Sequence, residues 1–226
     1  MPLLSIIVPV YNEVNTVRQI LDKISAIGID KEIIVVDDGS LDGTDRVLRD
    51  IECSNLKVIH HTSNRGKGAA FLTGLANACG EFVIIQDADL EYDPLDYSRL
   101  LDVIQKEAVD IALGARFITG CNGLFMHKLG NRALTGMLNF LFNSRLNDYA
   151  TCYKLARRQT LNGMNLKASG FDIDVEIICS ALKKGMRLKE VPVSYYPRTY
   201  SAGKKIRWRD GLWAMFYILK FAVTDF

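Results

Sequence analysis

Two aspartates one residue apart, Asp87 and Asp89, with a third carboxylate at Glu91, follow directly on the apolar run Phe82-Val83-Ile84-Ile85. If that run is a buried strand, its C-terminal end delivers acidic side chains to the edge of a sheet, where open α/β sheets place ligands. Carboxylates gathered without an adjacent cation repel one another, and the usual compensation is a divalent metal with oxygen ligands. Mg²⁺ or Mn²⁺ held this way keeps waters and bridges to substrate phosphates. For Asp-x-Asp alone, a solvated acidic turn is the plain alternative. Two more strand-like runs end in similar chemistry. Leu4 to Val10 leads into Tyr11-Asn12-Glu13, where a planar base could stack on the ring and donate an N–H to the carboxylate. Glu32 to Val36 leads into Asp37-Asp38-Gly39-Ser40. Helix capping by Asn12 or Ser40, with Asp42 and Asp45 complementing a helix dipole, would account for either segment alone. Three strands ending in carboxylates on one sheet edge call for more.

A fourth segment, Asn64-Arg65-Gly66-Lys67-Gly68, opens a helix. A lysine between glycines at a helix N-terminus, where N–H groups are free, favours an anion. The segment is neither Gly-x-x-x-x-Gly-Lys-Ser/Thr nor Gly-x-Gly-x-x-Gly, which disfavours P-loop NTPases and dinucleotide enzymes.

Such residues meet only if strand ends are brought together, and the order of elements provides for that. Strands are expected at 4–10, 32–36, 56–59, 82–85 and 110–115. Between them lie helical patterns: Val14, Val17, Ile20, Leu21, Ile24 and Ile27 at spacings of three and four, then 42–51, 69–78, and a helix after Pro94. This alternation predicts a parallel sheet with right-handed crossovers. Beyond it, helices are expected at 124–142, 172–184 and 207–223, and strands at 151–155 and 188–195, the last containing Pro192. No repeat or linker divides the chain, so residues 1–226 read as one domain, with a strand–helix front (1–115), a less regular stretch (116–203) and a basic tail (204–226).

Composition narrows the class further. The five cysteines lack Cys-x-x-Cys spacing, which argues against zinc and disulfides and for a reducing cytoplasm. No signal segment opens the chain, and no run reaches the roughly 18 apolar residues of a spanning helix. Residues 1–150 carry 14 Lys+Arg against 20 Asp+Glu, a balance of −6; residues 151–226 carry 14 against 6, a balance of +8. An acidic front with a basic tail suits a metal–nucleotide site beside a surface that meets an anion or an anionic membrane.

Taken in order, Val8-Pro9-Val10-Tyr11-Asn12-Glu13, Val36-Asp37-Asp38-Gly39-Ser40 with Asp42-Gly43-Thr44, Asn64-Arg65-Gly66-Lys67-Gly68 and Asp87-Ala88-Asp89-Leu90 resemble the family 2 glycosyltransferases of GT-A fold. The nearest subgroup is the polyprenyl-phosphate sugar synthases typified by dolichyl-phosphate mannose synthase. The resemblance continues through Gly114-Ala115-Arg116 and residues 171–176 to residues 197–205, nearly the whole chain. It implies a Rossmann-like, mostly parallel sheet flanked by helices, with a C-terminal amphipathic helix.

The same resemblance implies roles. Pro9, Tyr11, Glu13 and Asp38 would hold the base and ribose, and Lys67 the phosphates. Asp87, Ala88 and Asp89 would meet Mg²⁺ or Mn²⁺ and the diphosphate, with Glu91 as a further metal ligand. Glu91 stands where many mannose synthases carry Gln, which adds a negative charge beside the metal. Arg116, Arg132, Arg198 and Lys205 would surround the phosphates, Asp89, Arg116 and Arg198 being the catalytic set; for Arg132 a solvent-facing position on a helix is the alternative.

The implied reaction is metal-dependent, inverting transfer from a nucleotide sugar, GDP-mannose ahead of UDP-glucose, to a polyprenyl phosphate. No nucleic-acid partner is expected. A lipid phosphate is already ionised and needs no general base. A saccharide hydroxyl, as in cell-surface polysaccharide synthesis, would need one, and Asp148, Asp174 and Glu176 are the candidates. A non-catalytic nucleotide-sugar-binding protein is the reading from another class. Lys204, Lys205, Arg207 and Arg209 precede a stripe of Trp208, Leu212, Met215 or Phe216, Leu219 and Val223. Such a segment fits an interfacial helix, and with it a peripheral place at the cytoplasmic membrane face or beside a membrane partner; a core-packed helix is the alternative.

Overall fold

The computed structural model describes residues 1–118, 125–198 and 208–224, the side chains of 125–127 and 208–209 lying outside the description. Within them the strands β1 (Leu4–Val10), β2 (Lys31–Asp37), β3 (Leu56–His60), β4 (Phe82–Ile85), β5 (Ile111–Ala115), β6 (Lys154–Arg157) and β7 (Leu188–Pro192) form one sheet in the order β3-β2-β1-β4-β6-β5-β7. All pairings are parallel except those of β6, which runs antiparallel between β4 and β5. The helices are α1 (Val17–Ser25), α2 (Thr44–Arg49), α3 (Lys67–Asn77), α4 (Tyr97–Lys106), α5 (Phe125–Phe142), α6 (Arg158–Asn162), α7 (Ile173–Lys183) and α8 (Trp208–Val223).

Apolar runs become central strands because both faces are covered. Ile6, Ile7, Val8, Ile33 to Val36 and Val83 to Ile85 are all buried, as expected where helices lie on both sides of a parallel sheet. The chain builds outward from β1 to β2 and β3, then returns to place β4 on the other flank of β1. The order therefore reverses at the β1–β4 seam, where such sheets open a crevice. Pairing of Val10 with Asp37, and of Ile7 with Ile85, sets the ends of β2, β1 and β4 side by side.

Three boundaries differ from the sequence expectation by three residues. The first helix begins at Val17 rather than Val14 because the preceding loop is tied to the loop after β2. Asn12 N–H donates to Ser40 Oγ, Asn12 Oδ1 accepts from Leu41 N–H, and Glu13 N–H donates to Thr44 Oγ1. Asn12 and Ser40 thus lace two loops; neither caps a helix. The sixth strand begins at Lys154 rather than Thr151, since Thr151 and Cys152 are engaged by the Tyr92 hydroxyl. The last strand stops at Pro192, which an edge strand tolerates.

Close approach of helix to sheet and loop depends on two glycines. A Cβ at Gly74 would stand 2.4 Å from Ile7 Cγ2, and one at Gly68 would stand 2.2 Å from the Ala168 carbonyl oxygen. Backbone cannot yield as a side chain can, so Gly68→Ala is expected to destabilise the fold by about 1–3 kcal/mol. Urea denaturation reads this as a lower midpoint; an unchanged midpoint would contradict the close packing of α3 on residues 168–170.

Candidate active site

The acidic turn after β4 is built from behind. Gln86, wholly buried, accepts from the Tyr97 and Tyr153 hydroxyls through Oε1 (2.5 and 2.7 Å) and donates to the Asp87 carbonyl at 2.9 Å. Ala88 is buried, which leaves the flanking Asp87 and Asp89 side chains at the surface of the crevice. Leu90 then adopts φ +63°, a left-handed conformation rare for a branched side chain and of a kind that costs on the order of 1–3 kcal/mol and clusters at functional sites. That turn returns Glu91 N–H to Asp89 Oδ1 at 3.1 Å.

Burial and like charge act together here. Burial, then Asp87, then Glu91 raise the Asp89 carboxyl to about 7, with Arg198 pulling the other way. Asp89, destabilised in this way beside Asp87, fits a divalent cation, which binds through one or two protein carboxylates plus substrate phosphates. The described residues do not gather Asp87, Asp89 and Glu91 into one three-ligand group. The reason is visible in Glu91, whose carboxylate accepts from the Tyr195 hydroxyl (2.7 Å) and from Arg198 N–H (2.7 Å). Glu91 holds the 195–198 segment against the crevice.

Two cations reach the aspartates. Lys67 Nζ lies 2.8 Å from Asp87 Oδ1 and 3.2 Å from Asp174 Oδ2. Lys154 Nζ, from β6, meets Asp174 Oδ1 at 2.7 Å. Burial opposes the charge on Asp174, but Lys154 and then Lys67 outweigh it and keep the carboxyl below its ordinary value. On the other side Arg198 forms a two-pronged pair with Glu13 (3.0 and 3.1 Å) and lies 3.3 Å from Asp89 Oδ2. Glu13 also accepts from Thr16 Oγ1 at 2.7 Å. Pro9 and Tyr11 sit half-exposed beside this pair in sequence, at the mouth of the β1 loop.

Asp38 is placed beneath the crevice. It is buried, and its oxygens accept from Arg65 N–H (2.9 Å) and Gly66 N–H (2.7 Å) while facing His61 Nδ1 at 2.6 Å. Gly68 N–H donates to the Gly170 carbonyl and Ala69 N–H to that of Ser169. The start of α3 is therefore not the open anion site that its glycines suggest; the Lys67 side chain carries the positive charge instead.

Arg116 sits across the crevice, from the end of β5. Asp148, fully buried, grips its Nε and Nη2 at 2.7 Å each. Glu190 of β7 in turn accepts from Asn147 N–H and Asp148 N–H, both at 2.8 Å, and so fixes the loop that carries Asp148. The Tyr195 ring lies 5.1 Å from the Arg116 guanidinium. Arg132 is exposed on α5, whereas its neighbour Asn131 turns inward. Asn131 Oδ1 lies 3.5 Å from Arg116 Nη2, and its buried Nδ2 has no hydrogen-bond partner among the described residues. The signal for Asn131 was periodicity: Asn131, Thr135 and Leu138, spaced by four and three, form the inward face. Tyr195 had no comparable signal, because only folding brings it to Glu91. Lys205 lies outside the described residues.

The three carboxylates offered as bases are all engaged. Asp148 is locked on Arg116 and Asp174 lies between two lysines. Glu176 is buried and accepts from Lys167 and Ala168 N–H.

A family model described as Glycosyl transferase family 2 matches residues 5–163. The polyprenol monophosphomannose synthase of Mycolicibacterium smegmatis is 29% identical over 211 residues, covering 88% of this chain and 79% of that protein. The dolichol-phosphate mannosyltransferase of Pyrococcus furiosus is 29% identical over 208 residues, covering 88% and 58%. Some curated relatives are much longer: the chain spans 48% of the low-salt glycan biosynthesis hexosyltransferase Agl6 of Haloferax volcanii. A crystal structure of glucosyl-3-phosphoglycerate synthase from Mycobacterium tuberculosis, with Mn²⁺, UDP and phosphoglyceric acid, superposes with a TM-score of 0.76. It covers 100% of this chain and 80% of that one at 19% identity, a likeness of fold. The mostly parallel sheet flanked by helices is the GT-A arrangement.

Asp89 gives this site a pH signature. The folded chain keeps the Asp89 proton to about pH 7, while an unfolded aspartate releases it near pH 4. Between those values the folded state binds more protons, so stability falls as pH rises through the window. Asp89→Asn removes that cost. With chelator present, the variant should melt above the wild type at pH 8, by on the order of 2 kcal/mol, and lose the advantage toward pH 4. A lower melting point at pH 8 would mean that the contact with Arg198 outweighs the repulsion from Asp87 and Glu91.

Proposed function

The chain belongs to glycosyl transferase family 2, and from that premise we propose that it moves a hexose from a nucleoside-diphosphate sugar to a polyprenyl phosphate, with inversion at the anomeric carbon. The observation that carries the choice of acceptor is the engagement of Asp148, Asp174 and Glu176 in buried contacts. A hydroxyl acceptor needs a carboxylate to take its proton. A phosphate monoester arrives ionised and needs only to be positioned.

Arg116 is suited to that positioning. Asp148 holds its guanidinium rigid, and Asn131 Nδ2 beside it can donate to an anion's oxygen. Lys67 and Arg198 flank the aspartates from opposite sides and would meet the leaving diphosphate. Lewis-acid stabilisation of that leaving group is the chemistry that Mg²⁺ or Mn²⁺ supplies when bound at Asp87 and Asp89. A phosphate oxygen then bonds to the anomeric carbon as the carbon–diphosphate bond breaks. The electron pair leaves with the diphosphate, and one displacement inverts the centre. Tyr11 and Glu13 line the side on which a base would lie; Glu13 becomes available to it as Arg198 turns to phosphate. The mannose in two relatives' names favours GDP-mannose over UDP-glucose as donor.

A lipid acceptor also fits the outer face of α8. Ile218 and Phe221 pack inward, on a helix that contacts α5 and α7. Leu212, Trp213, Phe216, Leu219 and Val223 remain exposed, joined by Phe140 on α5. Apolar surface of this extent marks an interaction site. No helix among the described residues is long and apolar enough to cross a membrane. The reading is a peripheral protein, seated by α8 and the basic residues before it on the cytoplasmic face of an anionic membrane.

Radiolabelled GDP- and UDP-sugars supplied with a short-chain polyprenyl phosphate and Mn²⁺ or Mg²⁺ test the reaction. A chloroform-soluble product that requires metal and disappears in folded Asp89→Ala is the expected result. Transfer only to saccharides, or no transfer from any donor, would overturn the acceptor assignment. Membrane seating is read separately by flotation with anionic vesicles: Trp213→Glu/Phe216→Glu should lose most vesicle binding while remaining folded, and undiminished binding would remove α8 from the interface.

A further inference from the structure

Resting on the metal reading above, we propose that Asp174 is a positioning residue: clamped by Lys154, it shares the Lys67 ammonium with Asp87 and thereby sets how tightly Asp87 and Asp89 take a divalent cation.

Lys154 anchors the arrangement. Its side chain is 1% exposed on β6, the strand inserted antiparallel between β4 and β5. Its ammonium donates to the Thr151 carbonyl and to Asp174 Oδ1 at 2.7 Å. A buried ammonium that loses its counter-ion is strongly unfavourable, so Lys154 pins Asp174 in place. The second oxygen of Asp174 then reaches Lys67 Nζ at 3.2 Å, and that ammonium reaches Asp87 Oδ1 at 2.8 Å. Four charged groups from β6, α7, α3 and the β4 turn form one chain of alternating sign.

Charge balance alone does not require the middle contact. Lys154 with Asp174 is neutral, and so is Lys67 with Asp87. The Asp174–Lys67 contact is the one that ties the two pairs together, and its effect is to divide one ammonium between two carboxylates. That division matters because Lys67 and a divalent cation compete for Asp87. The more firmly Asp174 holds Lys67, the more of the Asp87 carboxylate is left to a metal. Lys67 drawn away from Asp87 by a metal still has Asp174 to anchor it, and stays within reach of a diphosphate. Both oxygens of Asp174 are committed to lysines, which separates this role from that of a general base.

The test is Mn²⁺ affinity of the full chain without donor, read by the electron paramagnetic resonance of free Mn²⁺, with thermal melts to confirm folding. Asp174→Asn should weaken Mn²⁺ binding about tenfold by leaving Lys67 wholly on Asp87, and Lys67→Met should tighten it. The deciding variant is Lys154→Met/Asp174→Asn, which removes both buried charges and leaves net charge unchanged. It also leaves no unpaired lysine behind if the single Asp174 variant does not fold. Weakened binding in that variant, with the loss shrinking when Lys67→Met is added, supports positioning through Lys67. Wild-type affinity in it, or an equal loss with and without Lys67, overturns the inference. If the wild-type chain itself takes up no Mn²⁺, the metal reading fails first and this inference with it.

Discussion

Crowded negative charge at the β1–β4 seam is the constraint around which the rest of this structure is arranged. Glu13, Asp87, Asp89 and Glu91 converge there, and Lys67 and Arg198 are the described cations paired with them. Burial, followed by the nearness of Asp87 and Glu91, raises the Asp89 carboxyl. A protein built only for stability would have neutralised the cluster. This one keeps the carboxylates crowded together, and a cation bound there with a substrate diphosphate would relieve that crowding.

Much of the remaining acidic content shapes backbone. Asp38 gathers the N–H groups of the 65–66 loop, Glu176 those of 167–168, and Glu190 those of 147–148. A carboxylate accepting backbone N–H bonds makes a stronger contact than a neutral acceptor and satisfies loop donors that no ladder reaches. The result is a chain of support from Glu190 to Asp148 to Arg116, so an edge strand determines where a guanidinium points inside the crevice. Glu91 does the same for the 195–198 segment, bringing Tyr195 and Arg198 from late in the chain onto a turn formed by its middle.

The C-terminal helix joins two readings that the sequence left as alternatives. It packs on the core through Ile218 and Phe221, and it also presents an unpartnered apolar face through Leu212, Trp213, Phe216 and Val223. A helix apolar on nearly all sides buries one stripe and leaves the other as surface open to a further contact. That face belongs to a helix packed on α5 and α7.

The linear sequence alone determined the strands, the helices other than the short α6, and the positions of the acidic turns. Each rests on a local cause: apolar runs of strand length, helical spacing such as Val17, Ile20, Leu21 and Ile24, and carboxylates placed directly after a strand. Parallel alternation then implied that the ends of β1, β2 and β4 share an edge. Partner choice was beyond it, because a charge has no preferred sequence separation. Lys67 with Asp174, Glu13 with Arg198, and Glu91 with Tyr195 are 107, 185 and 104 residues apart. The same limit hid the use of the α3 N–H groups by residues 169–170 and the antiparallel insertion of β6, whereas the outward Arg132 beside an inward Asn131 follows from helical spacing. Local patterns record which residues can do chemistry; only packing in three dimensions decides which of their oxygens and nitrogens are already taken.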